Sequence, residues 1–231
     1  MKTYAIILSA GKGKRMQSTI SKQYIEVLGY PVLYYTLKAF EKSKVDNIII
    51  VAGQDDIEYI RKDIIEKYNI NKVLDILSGG AERYDSVMAG LKCISGDGNV
   101  LVHDGARPLI EDFQINKIIE NLKNDEACVM GMPVKDTIKI KDRNNYVINT
   151  PRRSTLWQIQ TPQAFNVYTL KKAYETMQIN EDTTITDDSM VMERYSEVQI
   201  KLIEGSYENI KITTPEDLIL MTEILKKRNK I

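Results

Sequence analysis

Short apolar, β-branched runs alternate along this chain with stretches whose apolar residues recur every three or four positions. Residues 3–8 read as a buried first strand and residues 47–52 as a second. Ile57, Ile60, Ile64 and Ile65 then form one helical stripe. Residues 72–77, 99–103 and 127–132 repeat the strand pattern. Between them, Val87, Leu91 and Ile94 mark one helix, and Ile115, Ile118, Ile119 and Leu122 another. This alternation predicts an α/β fold with right-handed crossovers and a mainly parallel sheet covered on both faces.

The pattern changes after Met132. Ile138 and Ile140, the polar run Asp142-Arg143-Asn144-Asn145, then Val147 and Ile148 predict a β-hairpin over residues 136–151 that leaves the main sheet. Such an arm cannot bury its apolar face alone, so it is expected to pack on a second subunit, the alternative being a fold back onto its own domain. Residues 209–214 read as the last strand, carrying Lys211. A final helix follows, with Thr214 as N-cap, Pro215 at N1, Asp217 at N3, and Leu218, Met221 and Leu225 as its buried stripe. The 231 residues are expected to form a single domain, with 136–151 as its arm.

Lys+Arg and Asp+Glu are each 32, which argues against a general nucleic-acid or membrane-surface binder. Any cationic chemistry must be local. Cys93 and Cys128 lack metal-ligand spacing and are expected to be reduced, as in a cytoplasmic protein. No segment reads as a signal peptide or a membrane span.

The candidate chemistry lies where ligands sit in such sheets, at the carboxyl ends of strands. Ser9-Ala10-Gly11-Lys12-Gly13-Lys14-Arg15-Met16, followed by Lys22-Gln23, combines two glycines with a run of cations, which suits a polyphosphate or an ordinary surface turn. It lacks the Gly-Lys-Ser/Thr of a Walker loop and the third glycine of a dinucleotide fingerprint. Gly79-Gly80 before Arg83 and Ser86 opens a helix, where main-chain N–H groups could read a base or ribose. Asp104 ends an apolar strand, either as a ligand of Mg²⁺ brought by a nucleotide or in an ion pair with Arg107. His103, the one histidine, has no evident Ser or Cys partner and reads as structural. Lys211 either snorkels to the rim or faces an anion. Cations, glycine turns and one carboxylate, with no nucleophile–base pair, are what phosphorus chemistry needs.

Those motifs, in order and with Pro133 to Lys139, Gln160-Thr161-Pro162-Gln163, Thr186-Asp187-Asp188 and Asn209-Ile210-Lys211, resemble the methylerythritol-phosphate cytidylyltransferase family over nearly the whole chain. The resemblance implies a Rossmann-like nucleotidyltransferase fold, CTP and a sugar-alcohol phosphate as substrates, Mg²⁺ as cofactor, and a homodimer. It implies that Arg15 and Lys22 stabilise charge on the five-coordinate phosphorus, and that Ala10, Gly11, Gly13, Gly80, Ser86 and Asp104 bind nucleotide, Asp104 through the metal. Arg153 and Lys211 would hold the acceptor phosphate, with Thr137, Thr161, Thr186 and Asp187 lining its pocket. Thr137 and Arg153 would serve the partner's pocket. Two departures from the family's usual pattern are Ser9 in place of alanine and Ser21 in place of proline. The nearest rival is a ribitol-5-phosphate cytidylyltransferase of the same fold. A nucleotide-binding module without activity is a further alternative.

Overall fold

The computed structural model describes residues 1–11, 16 and 20–228. Its centre is a seven-stranded sheet. β1 (Thr3–Ser9) is followed by a short hairpin of β2 (Glu26–Val27) and β3 (Tyr30–Pro31), and then by α1 (Val32–Lys42). β4 (Asn47–Ala52) leads into α2, which is α-helical over Ile57–Tyr59 and π-helical over Ile60–Glu66. β5 (Val73–Ser78), α3 (Arg83–Cys93), β6 (Asn99–Asp104), α4 (Asp112–Asn121) and β7 (Ala127–Pro133) complete the alternating half. The arm carries β8 (Ile140–Lys141) and β9 (Val147–Asn149). β10 (Trp157–Asn166), α5 (Val167–Ile179), α6 (Asp188–Tyr195), β11 (Lys201–Glu204) and α7 (Pro215–Lys227) close the chain.

The strand order is β11-β7-β10-β6-β1-β4-β5, and only β10 runs antiparallel to its neighbours. The mainly parallel sheet expected from the alternation is therefore present. Its strands read as continuous apolar runs because both faces are covered. Ala5, Ile7, Ile48, Ile50 and Leu101 pack against Leu33, Leu37 and Phe40 of α1, Ile60 and Ile64 of α2, and Ile115 and Ile118 of α4. The alternate residues Tyr4, Ile6, Ile49, Val51, Val100 and Val102 face Val87 and Leu91 of α3 and Leu170 and Tyr174 of α5.

The reading of residues 209–214 as the last strand is corrected. The last strand is β11, which lies beside β7 at the edge of the sheet. Residues 209–213 form a bridging segment instead: Ile212 N–H donates to the Ala106 carbonyl at 2.8 Å, and Ile210 N–H bonds locally to Glu208. The buried Asn209 amide anchors the segment by donating to the Thr161 carbonyl at 2.9 Å. The 214–217 cap of α7 forms as expected, as a capping box with Pro215 in the first turn.

The arm forms an antiparallel β8–β9 pair separate from the main sheet. Tyr146, Val147 and Ile148 lie exposed along it.

Candidate active site

Three strand ends meet at one cleft. β1 and β6 are adjacent parallel strands with Leu8 opposite Asp104, so the turn after Ser9 opens beside Asp104. The Gly79-Gly80 turn after β5 closes the other side. Its glycines are required by close approach: a Cβ on Gly79 would lie 2.6 Å from Ala10 Cβ, and one on Gly80 would lie 2.2 Å from Asp85 Cβ. Glu82 and Asp85 cap the start of α3 reciprocally, and Ser86 Oγ accepts from Gly80 N–H at 3.3 Å. Gln23 braces the first turn by donating to the carbonyls of Ser9 (2.7 Å) and Gly11 (3.3 Å).

Asp104 is the electrostatic centre. Lys211 Nζ lies 2.8 Å from its carboxylate, Arg107 Nε 3.6 Å and Arg83 Nε 3.7 Å. Burial would raise the Asp104 pKa, but the Lys211, Arg83 and Arg107 charges outweigh it and hold the carboxyl well below the usual carboxylate range. The Asp104–Arg107 pair offered by the sequence exists, but within this larger cationic set. Arg83 is fixed from behind, donating to both oxygens of the fully buried Asp188 at 3.0 and 2.6 Å. Tyr174 OH donates to the same carboxylate at 2.6 Å. Lys22 Nζ reaches across the cleft to the Ile212 carbonyl at 2.6 Å.

Residues 3–227 match the family described as IspD, 2-C-methyl-D-erythritol 4-phosphate cytidylyltransferase. The chain belongs to this family. Relatives bearing that name are 47% identical over 226 residues in Lachnoclostridium phytofermentans (98% of this chain, 97% of the relative) and 51% identical over 224 residues in Lachnospira eligens (96% and 98%). A crystal structure of the 4-diphosphocytidyl-2C-methyl-D-erythritol synthase from Anaerococcus prevotii superposes with a TM-score of 0.85 at 38% identity, covering 97% of this chain and 96% of that one.

Of the residues singled out in this cytidylyltransferase-family sequence, Ala10, Gly11, Lys22, Gly80, Ser86, Asp104 and Lys211 line the cleft together. Gly13 and Arg15 lie outside the described residues. Arg153 and Thr137 are exposed near the base of the arm, with Arg153 Nη1 donating to the Lys135 carbonyl at 2.9 Å. Thr161, Thr186 and Asp187 are not among the residues lining the cleft. Thr161 is buried beneath it, its hydroxyl bonded to the Asp104 amide and facing His103. Asp187 caps α6 and accepts from Gln163 Nε2 (2.7 Å) and Ser189 Oγ (2.9 Å), so its oxygens are already engaged. Thr186 Oγ1 points to Met190 Sδ. The roles of Asp188, Tyr174 and Gln23 were not foreseen. Asp188 was visible only as part of the Thr-Asp-Asp motif, and its partner Arg83 lies far away in sequence.

Among the described residues no group of three or more His, Cys, Asp or Glu could hold a metal ion. Asp104 alone therefore fits a divalent ion only as one ligand of a metal–nucleotide pair, since Mg²⁺ commonly binds through one or two carboxylates plus substrate phosphates. The three cations around Asp104 disfavour a lone metal there.

Proposed function

We propose that this chain joins CMP from CTP to 2-C-methyl-D-erythritol 4-phosphate, giving 4-(cytidine 5′-diphospho)-2-C-methyl-D-erythritol and pyrophosphate. The observation that carries the geometry is the convergence of Arg83, Arg107 and Lys211 around Asp104 at the ends of parallel strands, with Lys22 lining the same cleft. The names of the relatives supply the acceptor.

The attacking group is a phosphate monoester whose second pKa of about 6 leaves it anionic at neutral pH, so no general base is needed. Its oxygen forms a bond to the α-phosphorus of CTP. The bond from that phosphorus to the bridging oxygen breaks, and pyrophosphate leaves with the electron pair. Two anions must meet, and the cleft's cations offset their repulsion. Lys22, with Arg15 from the first loop, stabilises charge on the five-coordinate phosphorus. The backbone of Ala10, Gly11 and Gly13 approaches the phosphates, while Gly80 and Ser86 receive the cytidine. Lys211 orients the acceptor phosphate.

In a homodimer, Thr137 and Arg153 at the base of the arm reach the neighbouring cleft. Thr161 acts from beneath the cleft floor, and Thr186 and Asp187 act from the start of α6, where Asp187 holds Gln163, rather than from the cleft lining. A magnesium ion arriving with the triphosphate would take an Asp104 oxygen and withdraw charge from the phosphates. The cytoplasm suits this chemistry: Cys93 and Cys128 are unbonded, and no helix among the described residues is long and apolar enough to cross a membrane.

Nothing in the named relatives favours ribitol 5-phosphate as acceptor. Pyrophosphate release from CTP, measured with each acceptor, tests the proposal. Turnover of methylerythritol phosphate is the expected result, and equal or better use of ribitol 5-phosphate would reject it.

A further inference from the structure

The turn that carries Asp104 and Arg107 is fastened on every side. Gly105 N–H donates to the Leu8 carbonyl at 2.8 Å, and Arg107 N–H donates to the Asp104 carbonyl at 2.9 Å. Thr36 Oγ1 donates to the Gly105 carbonyl at 3.0 Å. Two groups remain. The Asp104 amide donates to Thr161 Oγ1 at 3.0 Å, and the Arg107 carbonyl lies 3.2 Å from His103 Nε2. Thr161 Oγ1 and His103 Nδ1 are 3.1 Å apart, so these last two groups are joined through one imidazole.

The protons in this chain can be assigned. A carbonyl oxygen only accepts, so His103 Nε2 must carry a proton to bond Arg107. The ring is wholly buried, against Phe40 at 5.0 Å, and its two hydrogen-bond partners are a carbonyl and a hydroxyl rather than a carboxylate, a setting that a charged imidazolium would occupy only at high cost, so it is neutral. A neutral ring with Nε2–H has a bare Nδ1, and the Thr161 hydroxyl donates to it while accepting from Asp104.

We propose that His103 is a positioning residue, held by Thr161 in the Nε2–H tautomer, whose two bonds fix the turn presenting Asp104, with Arg107 paired beside it, to the reacting phosphates. The chain runs from the Asp104 amide through the Thr161 hydroxyl to the imidazole, and from the imidazole to the Arg107 carbonyl. It brackets the four residues between two fixed points. His103 does not touch substrate; it acts through the groups it aims. This extends the cytidylyl-transfer reading of the cleft and rests on it for the catalytic consequence, though not for the tautomer.

His103 is the one histidine of the chain, so a ¹⁵N-labelled sample gives a single pair of imidazole nitrogens. The expected spectrum of the substrate-free protein shows a proton on Nε2 and none on Nδ1. A proton on Nδ1, or averaging between the tautomers, would overturn the assignment. In kinetics, Thr161→Val is expected to lower kcat at least about tenfold, the range seen when a partner that orients a ligand is lost. Its KM for CTP should change far less, because Gly80 and Ser86 lie apart from this turn. Thr161→Ser, which keeps the hydroxyl, should restore most of kcat and the Nε2–H spectrum. If Thr161→Val folds as judged by circular dichroism and keeps wild-type kcat, or raises KM alone, the positioning role is wrong. If Thr161→Val does not fold, Thr161→Ser decides: a shifted tautomer or a kcat no better than a tenth of wild type also overturns it. A wild-type enzyme inactive on methylerythritol phosphate would refute the proposed reaction while leaving the spectrum to judge the tautomer.

Discussion

Arg83 grips Asp188 with both arms of its guanidinium, at 3.0 and 2.6 Å, across 105 residues of sequence. Asp188 is fully buried and Arg83 partly open to the cleft, so the pair turns a buried charge into a rigid mount for a cleft-facing cation. Burial alone would lower the Arg83 pKa; the Asp188 and Asp104 charges outweigh it and raise it, keeping the guanidinium charged. Asp188→Asn keeps the shape but removes the charge. Because Arg83 retains some water, the expected loss is about 1–3 kcal/mol, below that of a fully buried pair. Tyr174→Phe removes one hydrogen bond to the same carboxylate and is expected to cost about 1 kcal/mol. Urea unfolding of both variants and their double measures this. Less than about 0.5 kcal/mol for Asp188→Asn would mean the mount does not matter, and the double should fall short of the sum, since the two share one partner.

Ser21 stands immediately before Lys22 with φ −58° and ψ 134°, inside the range proline imposes. Its carbonyl accepts from Tyr24 N–H at 2.8 Å, and among the described residues its own N–H has no acceptor. Ser21→Pro therefore removes freedom from the unfolded chain without breaking a hydrogen bond of this N–H among the described residues. The expected gain is about 0.4–1 kcal/mol, or roughly 1–4 °C in the melting temperature. Calorimetry checks it, and a lower melting temperature would show that the preceding residues cannot accept the ring. Since Lys22 starts the short 3₁₀ turn that follows, kcat is expected to hold or rise modestly.

The parallel half of the sheet was legible because strands covered on both faces must be apolar throughout, as in residues 47–52. The cleft was legible where glycines and cations crowd a strand end, at Ala10, Gly11, Lys22, Gly80 and Asp104. β10 was hidden. Its Gln160, Thr161 and Gln163 look like site groups, yet all three are buried in a central strand whose polar atoms bond neighbouring segments. Pro162 cannot donate to a ladder, and the β10–β7 register shifts between Ile159 and Gln163. Lys211 was placed in a strand because Ile210 and Ile212 alternate around it. That alternation instead seats Ile212 in the small cluster beneath α7, with Met221 and Leu225. Asp188 gave no local sign because its meaning depends on Arg83, which only the fold brings near.

His103 makes stability depend on pH with a definite sign. Burial lowers its folded pKa to about 3, from 6.5 for a free imidazole. The unfolded chain therefore takes up this proton first, and the contribution, complete above about 6.5, is lost as pH falls towards 3. Asp104 works in a lower window: its depressed pKa adds stability above about 4 that is lost only in stronger acid. The expected result is a melting temperature that falls between pH 6.5 and pH 4.5 by more in the wild type than in His103→Gln. Equal slopes in the two proteins would mean that the imidazole is not held neutral.

The arm leaves its apolar side uncovered in a single chain. Tyr146, Val147 and Ile148 are 60–74% exposed on a two-stranded hairpin, and such a pair is marginal in water unless its apolar side is covered. A second subunit would cover it, and Arg153 at the arm's base would then complete the neighbour's cleft, while Lys211 stays in its own. Arg153→Ala and Lys211→Ala homodimers should each be nearly inactive. Mixed, dissociated and reassociated at random, half of the dimers are heterodimers, and each of these regains one intact site. The mixture should recover about one quarter of wild-type activity by pyrophosphate release. If Arg153 serves its own subunit instead, both clefts of every heterodimer carry a lesion and nothing is recovered. Light scattering on Val147→Asp/Ile148→Asp supplies the companion measurement: a monomer is expected, and a dimer that persists would remove the arm from the interface.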